Sequence, residues 1–388
     1  MRMKRLSLTF LTSIAVATML AAAAAPAAAA DEELKLGVSI STTGQGAALG
    51  IPERNTLSLF PKEIGGAKLD IIQLDDAGDP TIATTNARRL ATDDKVDVLI
   101  GSSTTPPSIA MGNVANEVGV PHFALAPMPI TPATQKWSVV MPQPVTLMAK
   151  VLFEHMKKNN VKTVGLIGFS DSWGDLWVKA FKNIAEPMGL KMVADERYAR
   201  ADTSVAGQAL KLIAAKPDAV LVAASGTAAA LPQIALRDRG YQGKIYQTHG
   251  AVTKDFIRIA GKAAEGTILA SGPVIVAELQ PNSALTKKPG MAYVQAYEPK
   301  YGKDTRTQFG AHMWDVLQVL ERVIPQALKK AKPGTQQFRE AIRETLVAEK
   351  EIAASQAVYN WTEKDRYGVD PRAAVLLTVK NGDWELIK

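Results

Sequence analysis

From residue 34 onward, short apolar runs alternate with amphipathic stretches, and most apolar runs end in a loop rich in glycine, serine, threonine or proline. Residues 34–40, 68–75, 96–100 and 121–125 read as strands. Between them, helices are expected from the glycine-rich turn 41–50 to about 64, over 80–92, and from Pro107 to about 118. Asp79-Pro80 is a helix start: the aspartate side chain caps the first turn, and proline sits where no amide hydrogen is needed. Parallel strands cannot be joined by tight hairpins and need a crossover, which a helix supplies. The alternation therefore points to an α/β fold with a doubly wound parallel sheet.

The rhythm breaks at 137–144, which reads as a segment crossing to a second unit. There, helices at 145–158, 172–187, 204–215, 226–239 and 253–260 alternate with strands at 163–168, 191–197, 219–222 and 244–247. Residues 266–273 read as a return crossing, followed by helices near 291–300, 308–327 and 335–347 and short strands at 357–361, 374–380 and 384–387. A chain of 388 residues exceeds one typical domain. The expected architecture is two Rossmann-like doubly wound lobes. Residues 31–142 and 271–352 are expected in lobe 1, and 143–270 and 353–388 in lobe 2.

Several functions are disfavoured by composition. Arg2, Lys4 and Arg5 precede an apolar run over 6–20, and Ala28 and Ala30 stand at a small-x-small site. That is the pattern of a cleavable signal peptide, 1–30, with cleavage near Ala30 and export to the periplasm. No cysteine occurs, so lipid anchoring, disulfides and thiol chemistry are excluded. The formal charge of +7 falls to +4 without the signal, too diffuse for a nucleic-acid partner. Gly44-x-Gly46 lacks the third small residue of a dinucleotide fingerprint, because Leu49 stands there. The histidines at 122, 155, 249 and 312 have no metal-ligand spacing. No cofactor, metal or catalytic pair is expected, which favours a binding protein over an enzyme.

In open parallel sheets, ligands lie beyond the carboxyl ends of the strands. The loops expected to line a site are 41–50, 101–107, 126–130, 169–173, 224–227 and 248–251. The stretch 99–108, LIGSSTTPPS, is the most informative. It ends a strand in four hydroxyl residues and opens a helix at two prolines, bringing short hydroxyls and unpaired amides to one point. Such a cradle suits a carboxylate. The plainer alternative is that Ser102 or Thr105 only caps the helix.

With those residues in view, the chain resembles the branched-chain amino-acid-binding group of type I periplasmic binding proteins, the receptors of ABC importers. The resemblance rests on LKLGVSISTTGQGAALG, DDAGDPTIATTNARRL, LIGSSTTPPS, GFSDSWGD and VYNWTEKDRYG, in that order. It implies two lobes joined by a three-segment hinge that closes on the ligand. It places the carboxylate cradle on Ser102, Ser103 and Thr104 and a second wall near Ala126 and Met128. An aromatic contact falls on Trp173, an apolar one on Leu49, and second-lobe contacts on Thr227 and His249. Amino-acid-binding members carry an acidic residue at the position of His249, where it meets the ligand's ammonium. A histidine cannot supply that charge; Asp171 is the nearest substitute.

The resemblance and this departure together imply a receptor for a small organic carboxylate, best an aromatic acid of the benzoate or hydroxycinnamate type. The implied partners are that ligand and an ABC permease, with the receptor acting as a monomer. A branched-chain amino-acid receptor, a sensing subunit for another membrane partner and an exported enzyme remain as alternatives.

Overall fold

The computed structural model describes residues 33–387, so the expected signal peptide lies outside the described residues. The first sheet holds β1 (Glu33–Ile40), β2 (Glu63–Ile64), β3 (Ala67–Asp75), β4 (Val98–Gly101), β5 (His122–Ala124) and β6 (Ser138–Val140). Its order is β2-β3-β1-β4-β5-β6, with all strands parallel except the edge strand β2. The connecting helices are α1 (Ala47–Leu57), α2 (Pro80–Thr92) and α3 (Thr105–Val118). As the Asp79-Pro80 pair implies, the Asp79 side chain accepts from the amides of Thr81 and Ile82.

Helix α4 (Val145–Lys158) leads into the second sheet. Its parallel strands are β7 (Thr163–Phe169), β8 (Lys191–Tyr198), β9 (Ala219–Ala223), β10 (Lys244–Gln247) and β11 (Ile268–Ser271). Helices α5 (Ser172–Ala180), α6 (Ala206–Ala214), α7 (Ala230–Asp238) and α8 (Lys254–Ala260) connect them. The chain then forms α9 (Lys287–Tyr301), α10 (Gln308–Leu328) and α11 (Gln336–Ala348). The small hairpin β12 (Ile352–Ala353) and β13 (Val358–Tyr359) follows, then β14 (Val375–Lys380) and β15 (Asp383–Ile387), which join the second sheet antiparallel through β11.

The parallel strands of both sheets run in the same order: second, first, third, fourth, fifth. That order puts a topological switch point between β1 and β4 in one sheet and between β7 and β9 in the other. Each sheet is buried on both faces. Leu34, Leu36, Val38 and Ile40 pack against Met313, Val316 and Leu320 of α10, while Leu99 lies with Ala83, Ala87 and Leu90 of α2 on the opposite side. In the second sheet, Leu166, Val220 and Val222 sit in a core with Phe153, Trp177 and Phe181. This two-sided burial explains why the strands read as continuous apolar runs.

Three expectations change. Residues 137–144 and 266–273 begin as strands, β6 and β11, before the chain crosses. The last parallel strand of a doubly wound unit is followed by no helix of its own sheet, so its apolar run looks like a connection. Helix α1 stops at Leu57, because the segment before β3 turns back as the antiparallel edge β2. Finally, Ala354, Ala357, Tyr359, Trp361 and Ala373 pack into the core of the first sheet. Only β14 and β15 of the expected 353–388 segment join the second sheet. Among the described residues, no helix is long and apolar enough to cross a membrane.

Candidate functional site

A cavity of about 340 Å³ of atom-free space, its mouth included, lies where the strand ends of the two sheets face each other. All six expected loops reach it, through Leu49, Ser103 to Thr105, Ala126 and Pro127, Trp173, Ser225, and His249 and Gly250. Its remaining lining is Leu125, Pro142, Arg200, Phe309 and His312.

The first-sheet wall is the turn from β4 into α3. Gly101 ends the strand at φ 135°, and a Cβ there would lie 1.9 Å from the Ser39 carbonyl oxygen, so only glycine lets the chain turn this close to β1. Ser102 is wholly engaged. Its Oγ donates to Asp76 Oδ2 at 2.7 Å, and its amide and carbonyl both bond the Ser108 hydroxyl. Asp76 also accepts from the hydroxyls of Ser39 and Ser41.

Ser103 faces the cavity with its Oγ accepting from Ser41 N at 2.9 Å and sharing a 2.5 Å hydrogen bond with Glu53 Oε2. Gly50, one turn earlier on the helix that carries Glu53, has no room for a Cβ, which would stand 2.0 Å from the Ser41 carbonyl oxygen. Burial drives the Glu53 carboxyl well above the ordinary range; the Ser103 bond opposes this and nearby Asp76 adds to it. Thr104 occupies the cap position of α3, but its buried hydroxyl caps nothing and has no partner. The Thr105 hydroxyl donates to the Pro127 carbonyl, tying the β4 and β5 loops together. Neither Ser102 nor Thr105 is a helix cap.

The second-sheet wall begins at α5. Asp171 caps this helix, accepting from Trp173 N at 2.9 Å, and is ion-paired with Arg200 Nε at 2.6 Å. Arg200 Nη1 donates to Ser225 Oγ at 3.1 Å, and the guanidinium lies 4.1 Å from the Phe169 ring centroid. The Trp173 indole donates to the Ala224 carbonyl at 3.2 Å, which holds its ring as a wall. The ring meets His249 edge to face, with centroids 5.2 Å apart. Both ring nitrogens of His249 are buried and unpartnered, as is Nδ1 of His312. Burial pushes both imidazoles down to about 3, with His249 adding to the shift of His312, so both are neutral at ordinary pH.

Of the expected contacts, Leu49, Ser103, Thr104, Ala126, Trp173 and His249 meet at this cavity. Ser102, Met128 and Thr227 do not. Ser102 is spent on Asp76, and Met128 packs with Ala124 and Val140 while its amide and carbonyl bond the Tyr367 hydroxyl. Thr227 is exposed on the turn Gly226–Ala229, and Ser225 takes its place on the wall. Asp171 is held by Arg200 and does not line the cavity.

Arg200, Ser225, Phe309 and His312 are additions. The first two follow strands β8 and β9, so the strand-end rule applied to 198–203 reaches Arg200. Phe309 and His312 open α10, and nothing local in sequence marks them. Among the described residues no cluster of His, Asp or Glu fits a metal ion.

Comparison with known proteins bears on this geometry. Residues 33–375 match the sequence model of the family described as periplasmic binding protein. A Leu/Ile/Val-binding protein homolog from Brucella abortus (strain 2308) is 26% identical over 77% of this chain and 78% of its own length. The crystal structure of an extracellular ligand-binding receptor from Rhodopseudomonas palustris HaA2 is 65% identical, with a TM-score of 0.91 over 92% of this chain and 100% of that one. A solute-binding protein of an R. palustris ABC transporter, solved with benzoate, shares the fold at 19% identity, with a TM-score of 0.76 over 92% of this chain and 95% of its own.

Proposed function

Because this chain belongs to the periplasmic binding protein family, we propose that it is the periplasmic receptor of an ABC importer. In this reading it captures a small aromatic carboxylate between its two sheets and delivers it, as a monomer, to a membrane permease. The observation that carries the ligand class is the charge of the cavity wall: Arg200 lines it, and among the described residues no aspartate or glutamate does. An organic acid needs a cation and donors, whereas an amino acid also needs an anion for its ammonium. The position where the resemblance expects that anion holds the neutral imidazole of His249, and Asp171 is committed to Arg200.

The unpartnered hydroxyl of Thr104 and the guanidinium of Arg200 serve the carboxylate from opposite walls. Leu49, Trp173 and Phe309 give the ring apolar faces. The unpartnered nitrogens of His249 and His312 accept from or donate to a polar group on the ring. The walls already meet at the mouth, since a Cβ on Gly226 would lie 3.0 Å from Leu49 Cδ1. Closing the sheets on the ligand removes water and strengthens charge-assisted bonds. The benzoate held by the R. palustris neighbour is of the same chemical class.

The test is a thermal-shift screen of refolded protein with benzoate, 4-hydroxybenzoate, 4-coumarate, leucine, isoleucine, valine and dicarboxylates. A ligand at about a hundred times its Kd stabilises by about 2.7 kcal/mol, a shift of several degrees. Shifts with aromatic acids alone support the reading, and shifts with leucine alone refute it.

A further inference from the structure

Glu53 lies behind the cavity wall, wholly buried, with Oε1 unpartnered and Oε2 against the Ser103 hydroxyl. A serine hydroxyl has one proton and two lone pairs. One lone pair of Ser103 accepts from Ser41 N. If Glu53 is ionised, it has no proton to give, and Ser103 must donate to it. The hydroxyl then shows the cavity a lone pair, which repels an anionic oxygen. If Glu53 is a carboxylic acid, it donates to Ser103, and the serine proton is free for the cavity.

The surroundings of Glu53 favour the acid. Asp76, on the turn after β3, is the charged group facing it. From α9, the phenols of Tyr293 and Tyr297 approach Thr56 and Asn55 of the same helix, and both stay protonated because burial raises them. From α10, Gly310 lies against Thr56, and the loop after β1 contributes the Ser41 amide and hydroxyl. An ionised carboxylate with one oxygen bare in this interior would be costly.

We propose that Glu53 is a positioning residue that donates its carboxyl proton to Ser103, so that the Ser103 hydroxyl presents its own proton to the ligand's carboxylate. The proposal rests on the carboxylate reading above. It explains how a buried acid can stand one residue contact behind an anion site without repelling the ligand: the acid carries no charge, and its proton sets the direction of the wall's hydroxyl.

Two measurements test it. The first needs no ligand: the infrared difference between the wild type and Glu53→Gln at neutral pH. A protonated-carboxyl C=O band present in the wild type and absent in the variant is expected; a carboxylate band in its place overturns the proposal. If the variant fails to fold, the carbon-13 carboxyl signal of labelled wild-type protein, followed with pH, decides the same question.

The second is calorimetric titration with benzoate and 4-coumarate. The acids themselves are ionised above about pH 5. Wild-type affinity should fall as pH is raised and Glu53 ionises. Glu53→Gln, whose amide donates to Ser103 in the acid's place, should bind at neutral pH and lose that pH dependence. An unchanged pH profile in the variant overturns the proposal. A carboxylate band together with tight aromatic-acid binding refutes the Glu53 assignment and leaves the ligand reading standing. An acid band with silence toward every aromatic acid refutes the carboxylate reading, and with it the recipient of the Ser103 proton.

Discussion

On the first-sheet wall, polar atoms are held from behind. Asp76 gathers the hydroxyls of Ser39, Ser41 and Ser102, and Glu53 holds Ser103. The network is buried and largely satisfied; the Thr104 hydroxyl on the wall and Glu53 Oε1 behind it are without partners. On the second-sheet wall, the Arg200–Asp171 pair is half-buried, and both ring nitrogens of His249 have no protein partner; Nδ1 of His312, reaching the cavity from α10, is unpartnered as well. One wall is pre-arranged, at the cost of burying two carboxyl groups, those of Asp76 and Glu53. The other carries a cation and unfilled hydrogen-bonding capacity. A ligand completes the second wall and docks on the first, so substitutions in the two walls should separate into effects on affinity and effects on stability.

The largest effect is expected at Arg200. Arg200→Ala removes the cation from the wall and leaves the Asp171 carboxylate without its ion-pair partner behind it. Truncating one partner of a buried charge pair costs about 2–5 kcal/mol, so calorimetry should read a loss of aromatic-acid affinity of over about thirtyfold. Retained affinity would break the assignment of charge to the second wall. On the first wall, Thr104→Val should weaken the same acids by about tenfold or more, since a hydrogen bond to a charged group contributes about 1.5–3 kcal/mol. Its neighbour divides the two effects: Ser102→Ala should lower thermal stability, by removing a donor to buried Asp76, while leaving affinity close to that of the wild type.

A smaller effect concerns pH. His249 and His312 are held down to about 3 by burial, against about 6.5 in the unfolded chain. Above about pH 6.5 neither state binds the extra protons. As pH falls below that, the unfolded chain takes them up and the native protein does not, so stability is lost progressively down towards about pH 3. The double variant His249→Asn, His312→Asn should therefore lose less Tm than the wild type between about pH 6.5 and 4.5. The buried carboxyls of Glu53 and Asp315, which burial raises, act alike in both proteins and cancel in the comparison. The smallest effect is at Thr227, exposed and off the wall: Thr227→Ala should change stability by less than about 0.5 kcal/mol and leave binding unchanged.

The layout was largely legible because it follows from short-range chemistry. Apolar runs mark strands, the hydroxyls and glycines that end them mark the site, and each of the six strand-end loops so marked reaches the cavity. What stayed hidden depends on distant residues. Ser102 and Ser103 look alike in sequence; their partners Asp76 and Glu53, 26 and 50 residues away, are what tell them apart, and only Ser103 lines the cavity. The return of the chain to the first sheet as α10 was legible, but nothing local marks Phe309 and His312, in its first turns, as residues that reach the cavity. The packing of Tyr359 and Trp361 was hidden as well, because they find their core across the molecule, with the first sheet.

The most direct measurement uses two ligands that share a skeleton. 3-Phenylpropionate and L-phenylalanine differ only in the α-ammonium, the group for which this cavity offers no anion. Titration calorimetry of the refolded protein with each should show binding of the acid and no heat from the amino acid. Tighter binding of L-phenylalanine would contradict the account and would require a carboxylate, Asp171 released from Arg200 or Glu53 in its ionised form, to face the ligand.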